Sequence, residues 1–194
     1  ISTVEPFMAM LNVYVEMGQS LAMKKAEFVA NEIKTHWPNT TTHHLMIDGY
    51  ARLGKDYFSQ CQTLFQHALS TDSADIHTMN TMLQCYFSFG EYEHAEQLKN
   101  MIMRSDSNEP NLETYTILLQ GYADQASYAP EQALNNIHTL IKHINASVES
   151  HIGATLFSVS NNIVQNSLTL AYQNSKQFEN PKENAQHWIV TNCI

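Results

Sequence analysis

The sequence predicts an all-α fold, an α-solenoid of stacked helix-turn-helix repeats. Three observations carry this: a pattern that recurs every 36 residues, apolar residues at helical spacing inside each copy, and glycines at one fixed place after them. "MLNVYVEMG" (Met10 to Gly18) returns as "MIDGYARLG" (Met46 to Gly54), "MLQCYFSFG" (Met82 to Gly90) and "LLQGYADQA" (Leu118 to Ala126). Tyr14, Tyr50, Tyr86 and Tyr122 are each separated by 36 positions.

The first helix of each repeat follows from the spacing i, i+3, i+4, i+7: Phe7, Met10, Leu11 and Tyr14, then Met79, Met82, Leu83 and Tyr86, then Tyr115, Leu118, Leu119 and Tyr122. His43, Met46, Ile47 and Tyr50 repeat it with one polar substitution. The recurring methionines Met10, Met46 and Met82 read as core gap-fillers rather than as a partner groove. Gly18, Gly54 and Gly90 stand where a left-handed residue ends a helix and turns the chain, while Ala126 with Pro130 beyond it predicts a different turn in the fourth copy.

A second helix follows each turn, marked by Ala26, Val29, Ala30 and Ile33, by Leu64, Phe65 and Ala68, by Ala95, Leu98 and Ile102, and by Ala133, Ile137 and Leu140. Pro38-Asn39, Ala74-Asp75 and Pro110-Asn111 close the pairs, with Asn or Asp placed to cap the helix that comes next. The expected repeats of this single helical-repeat domain are 4–39, 40–75, 76–111 and 112–144. The register then breaks: 145–165 is expected to diverge, and 166–194 to form a fifth helix pair with Tyr172 in the tyrosine position and Ala185, Trp188 and Ile189 behind it. One pair alone cannot bury both of its apolar faces, so successive pairs must stack.

Composition narrows the function. Ten Lys and Arg against 19 Asp and Glu give a net charge of −9, which argues against a general nucleic-acid or anionic-membrane surface, so any such binding must be local, and no DNA partner is expected. Cys61, Cys85 and Cys193 lack C-x-x-C spacing, so neither a disulfide framework nor a zinc site is expected. His43-His44 points two ways around a helix and His138 and His143 are five apart, so no metal or other cofactor is expected. The uncharged run from Ser150 to Ser175 holds Asn161, Asn162, Gln165 and Asn166, which lipid would exclude, so no membrane insertion is expected. Neither a phosphate-cradling glycine loop nor a catalytic motif occurs, and the chain reads as a non-enzyme. It starts at Ile1 and stops in an apolar stretch, as a fragment would.

"THHLMIDGYARLG", "TMNTMLQCYFSFG", "TYTILLQGYADQA" and the second-helix segment "EYEHAEQLKNM" resemble the pentatricopeptide repeat (PPR) family over about residues 4–144. The tetratricopeptide repeat is the nearest alternative; it is of the same fold class but has a different small-residue pattern. The PPR resemblance implies single-stranded RNA as partner, one nucleotide per repeat, read by a first-helix residue and the last residue of the repeat. It also implies a mitochondrial location, with the cytoplasm as the alternative, and a role in organellar RNA processing, stability or translation.

Carried over by position, the expected RNA readers are Asn80 with Asn111, a pyrimidine-favouring pair, then His44 with Asp75, and Thr116 alone in the fourth repeat. Met8 stands opposite Asn39 and can stack on a base but cannot read one. The positions that the family places beside each base are Glu5, Thr41, His77 and Glu113. Arg52 is the one basic residue expected to hold phosphate on a stripe that also carries Glu5, Glu16, Asp48, Glu113 and Asp124. That acidity keeps a second expectation open, an RNA-independent scaffold for protein partners.

Overall fold

A computed structural model describes residues 3–38, 41–105, 107–146, 165–174 and 180–193. The described residues are helical, without a strand, and the fold is an α-solenoid of helical hairpins. The chain divides into two compact units, 1–108 and 109–194. The expected divergent segment falls almost wholly outside the described residues, as does Asn39.

The first unit holds three hairpins: α1 (Glu5–Glu16) with α2 (Ser20–His36), α3 (His43–Leu53) with α4 (Phe58–Ser70), and α5 (Ile76–Phe89) with α6 (Tyr92–Met103). Pro6 sits in the first turn of α1, where its missing N–H costs nothing. Gly18, Gly54 and Gly90 all have positive φ, at 57°, 105° and 75°, a backbone region that penalises any Cβ. After Gly54 a 3₁₀ turn, Lys55–Tyr57, leads into α4. After Gly90 the Glu91 N–H donates to the Tyr86 carbonyl at 2.8 Å, closing the left-handed helix end.

Leu11, Val15, Met23, Ala26 and Ile33 form the buried seam of the first hairpin, Ile47, Cys61, Phe65 and Ala68 that of the second, and Met82, Leu83, Leu98 and Ile102 that of the third. Each large aliphatic side chain so buried contributes about 1.5–3 kcal/mol. Met46 and Met82 are core, as expected, but Met10 is 39 % exposed, which corrects the reading of Met10 as a gap-filler. Among the described residues no further hairpin packs on α1 in the way that α1 packs on α3.

Neighbouring hairpins are also tied at their turns. The Lys55 ammonium donates to the Phe89 carbonyl at 2.8 Å and faces Glu91 at 3.3 Å. Asn108 Nδ2 donates to the Ala74 carbonyl at 3.1 Å. Both hydrogen bonds join residues 34 apart.

The second unit begins with the hairpin α7 (Leu112–Gln125) and α8 (Pro130–Ala146). Ala126 is right-handed at φ −60°, and its N–H donates to the Tyr122 carbonyl, so this turn differs from the glycine turns, as expected. Tyr115, Leu118, Leu119 and Tyr122 on α7 and Ala133, Ile137 and Leu140 on α8 are buried. Helix α9 occupies 165–174, with Leu168, Ala171 and Tyr172 buried, and α10 is Pro181–Cys193. His138 stacks on Trp188 with ring centroids 4.1 Å apart and shares a 3.2 Å hydrogen bond with the Tyr172 hydroxyl, so it is a packing residue of this unit. Burial, helped by the nearby Lys142 charge, lowers its pKa to about 4.

Candidate nucleic-acid interface

The local structure of each predicted reader follows from helix-end chemistry. Asp75 is the N-cap of α5: its Oδ1 accepts from the Thr78 backbone N–H at 2.8 Å and from the Thr78 hydroxyl at 2.7 Å. Burial acts to raise the carboxyl pKa, but the two Thr78 bonds and the imidazoles of His44 and His77 outweigh it and hold Asp75 below the ordinary carboxylate value. The His44 ring on α3 lies 6.3 Å from the His77 ring on α5, centroid to centroid. Helix stacking therefore gathers His44, Asp75 and His77 at one step of the first unit.

His77 was not among the predicted readers. Its place beside His44 arises only from stacking of two helices, and no spacing within one helix could reveal it.

Asn80 departs most from the expectation of a readily accessible reader, because its side chain is 0 % exposed on α5. Asn111, in the second unit, caps α7: its Oδ1 accepts from Thr114 N–H at 3.0 Å, and the Thr114 hydroxyl bonds back to the Asn111 N–H at 3.1 Å. The Thr116 hydroxyl donates to the Leu112 carbonyl of its own helix at 2.8 Å. Arg52 is exposed, and its Nε donates to Asp48 at 2.8 Å within α3, so its charge is largely balanced before any phosphate arrives.

The other histidine of the pair turns away. His43 Nε2 and His67 Nδ1 share a 3.1 Å hydrogen bond at one end of a groove of about 620 Å³ between α2 and α4. Burial lowers the His43 pKa, and the nearby His67 and Lys34 charges lower it further. Among the described residues no group of three or more His, Cys, Asp or Glu is placed to hold a metal, and no helix is long and apolar enough to cross a membrane.

A family model of the PPR repeat family matches residues 74–124. Over those residues the chain carries a PPR-type helical repeat. The match runs from the cap of α5 into α7 and contains Asp75, Asn80, Asn111 and Thr116, while His44 and Arg52 precede it. Comparison with curated proteins gave no match, and comparison with solved structures gave none. PPR repeats are helical-repeat modules that bind RNA or protein, in a family that is generally non-enzymatic.

Proposed function

We propose that this PPR protein binds single-stranded RNA locally, at the step between α3 and α5, in organellar RNA processing, stability or translation, with the mitochondrion as its compartment. The observation that carries the reading is the oriented pair His44 and Asp75. Thr78 fixes one oxygen of an ionised carboxylate, and the His44 imidazole on α3 stands nearby. A carboxylate accepts only and an imidazole N–H donates, which complements a base edge with N–H beside C=O, as in uracil and guanine. Asn80, being buried, supports the reading less than this half-exposed pair.

The test is binding of the full chain to a randomised single-stranded RNA pool, with duplex RNA as control, from about 50 to 200 mM salt. The expected result is enrichment of uracil or guanine at one position, lost in His44→Ala. With Arg52 already paired, the salt slope should correspond to only one or two phosphates, each worth about −0.7 in log–log slope. Unchanged affinity and base preference in His44→Ala would count against the assignment.

A second reading is a protein scaffold, favoured by acidity. Glu5 and Glu16 in the first unit are exposed, as are Glu113 and Asp124 in the second. Retention of every protein partner after ribonuclease, with no RNA binding at about 50 mM salt, would favour it.

A further inference from the structure

The groove of about 620 Å³ between α2 and α4 has the size of a small-molecule site, and it shares no residue with the cluster of His44, Asp75 and His77. α2 lines it with the stripe that runs from Glu27 to Lys34 and α4 with the one from Gln60 to His67, each at i, i+3, i+4, i+7. α3 forms the floor through His43, Met46 and Tyr50. The charges at its ends are Glu27 and Lys34, seven residues apart on one helix and therefore about 10 Å from each other along its axis. The next step of the stack lacks this pair, because 36 residues on Thr63 and Ser70 stand in their places.

Hydrogen bonding prepares both ends. At one, the Tyr50 hydroxyl donates to Glu27 Oε1, which leaves Oε2 to accept from a ligand. At the other, His43 stands where the remaining repeats carry Phe7, Met79 and Tyr115, and its Nδ1 is buried without a hydrogen-bond partner. A buried N–H left without an acceptor is costly and rare, a spare lone pair less so. The His43 proton therefore sits on Nε2 and donates to His67 Nδ1 at 3.1 Å. Burial first, then the His67 and Lys34 charges, lower the His43 pKa and keep that ring neutral. His67, exposed and lining the groove, then carries its own proton on Nε2, a donor whose ring is held by His43 at the end that Lys34 makes positive.

We propose that this groove binds a small zwitterion lengthwise, with its anionic group on Lys34 and the His67 Nε2–H, its ammonium on Glu27 and its body over Met46 and Tyr50. The charge pattern selects that occupant: a ligand with one charge leaves the opposite end unpaired, and one whose charges stand too close together reaches only one end.

Calorimetric titration of the full chain with ω-amino acids, with NMR of the histidine rings in parallel, tests the proposal. ω-Aminooctanoate, long enough when extended to span about 10 Å, should bind saturably with a Kd of about 1 mM or below. γ-Aminobutyrate, octanoate and octylamine should each bind about tenfold more weakly. Lys34→Gln should weaken ω-aminooctanoate and octanoate but not octylamine, and Glu27→Gln should weaken ω-aminooctanoate and octylamine but not octanoate. Both side chains are exposed, so neither substitution removes a core contact, and circular dichroism checks the fold. No saturable binding of ω-aminooctanoate up to about 10 mM overturns the proposal. Octanoate or octylamine binding as tightly as the zwitterion, or a zwitterion indifferent to Lys34→Gln, overturns it equally.

Discussion

Substituting Gly49 measures how tightly the first two hairpins stack. A Cβ at this position would lie 2.5 Å from Met23 Sδ, 2.7 Å from Met23 Cε and 3.2 Å from Val15 Cγ2, all side-chain atoms of the preceding hairpin. Replacing glycine by alanine inside a helix gains about 1 kcal/mol in backbone terms. Overpacking a filled core costs about 1–3 kcal/mol, and the flexible end of Met23 favours the middle of that range, so Gly49→Ala should lose about 1 kcal/mol net. Gly49→Val also presses on Val15 and should lose about 3 kcal/mol. Urea unfolding followed by circular dichroism reads both, with a midpoint shift of about 0.5 M for the alanine variant. In a Met23→Ala background the sign should reverse, because the obstructing thioether is gone. A Gly49→Ala variant of the parent chain that is more stable by the full helix-propensity gain would refute the tight contact.

Asp75 and His138 give two further predictions. Asp75→Ala should destabilise α5 by about 1 kcal/mol, whereas Asp75→Asn keeps the cap and should alter only base preference, as equilibrium unfolding and RNA selection would show. The Asp75 carboxyl lies below its ordinary value, so its contribution is present above the unfolded pKa and is lost as pH falls through the folded one. His138 is a base held neutral, with a folded pKa of about 4. The unfolded chain takes up that proton first, so stability should fall as pH drops from about 6.5 toward the folded value, and His138→Gln should flatten this part of the profile. A His138 ring titrating near 6.5 by NMR would exclude the buried stack on Trp188.

The repeat was legible because one face of α3, of α5 and of α7 meets the same environment. Tyr50, Tyr86 and Tyr122 are 7 %, 5 % and 1 % exposed, and Gly18, Gly54 and Gly90 turn the chain with positive φ. Periodicity names the apolar face of a helix but not the neighbour that covers it, so Met10 was misread. For the same reason the burial of Asn80 and the place of His77 beside His44 depended on stacking between repeats. The Asp75 and Asn111 caps were legible because capping acts over three residues of local chain. The other half of the candidate site, what stands opposite each cap, was not.

The ties from Lys55 to Phe89 and from Asn108 to Ala74 span about one repeat, no more. Native contacts of that reach are closed with little loop entropy, so structure can spread from one hairpin to the next without waiting for the far end of the chain. During synthesis, a hairpin needs only its immediate successor to have left the ribosome before its open side is covered. The same locality sets the order of loss: within the first unit opening begins at the outer hairpins and progresses inward, and hydrogen exchange there should be slowest in α3, which packs against both α1 and α5.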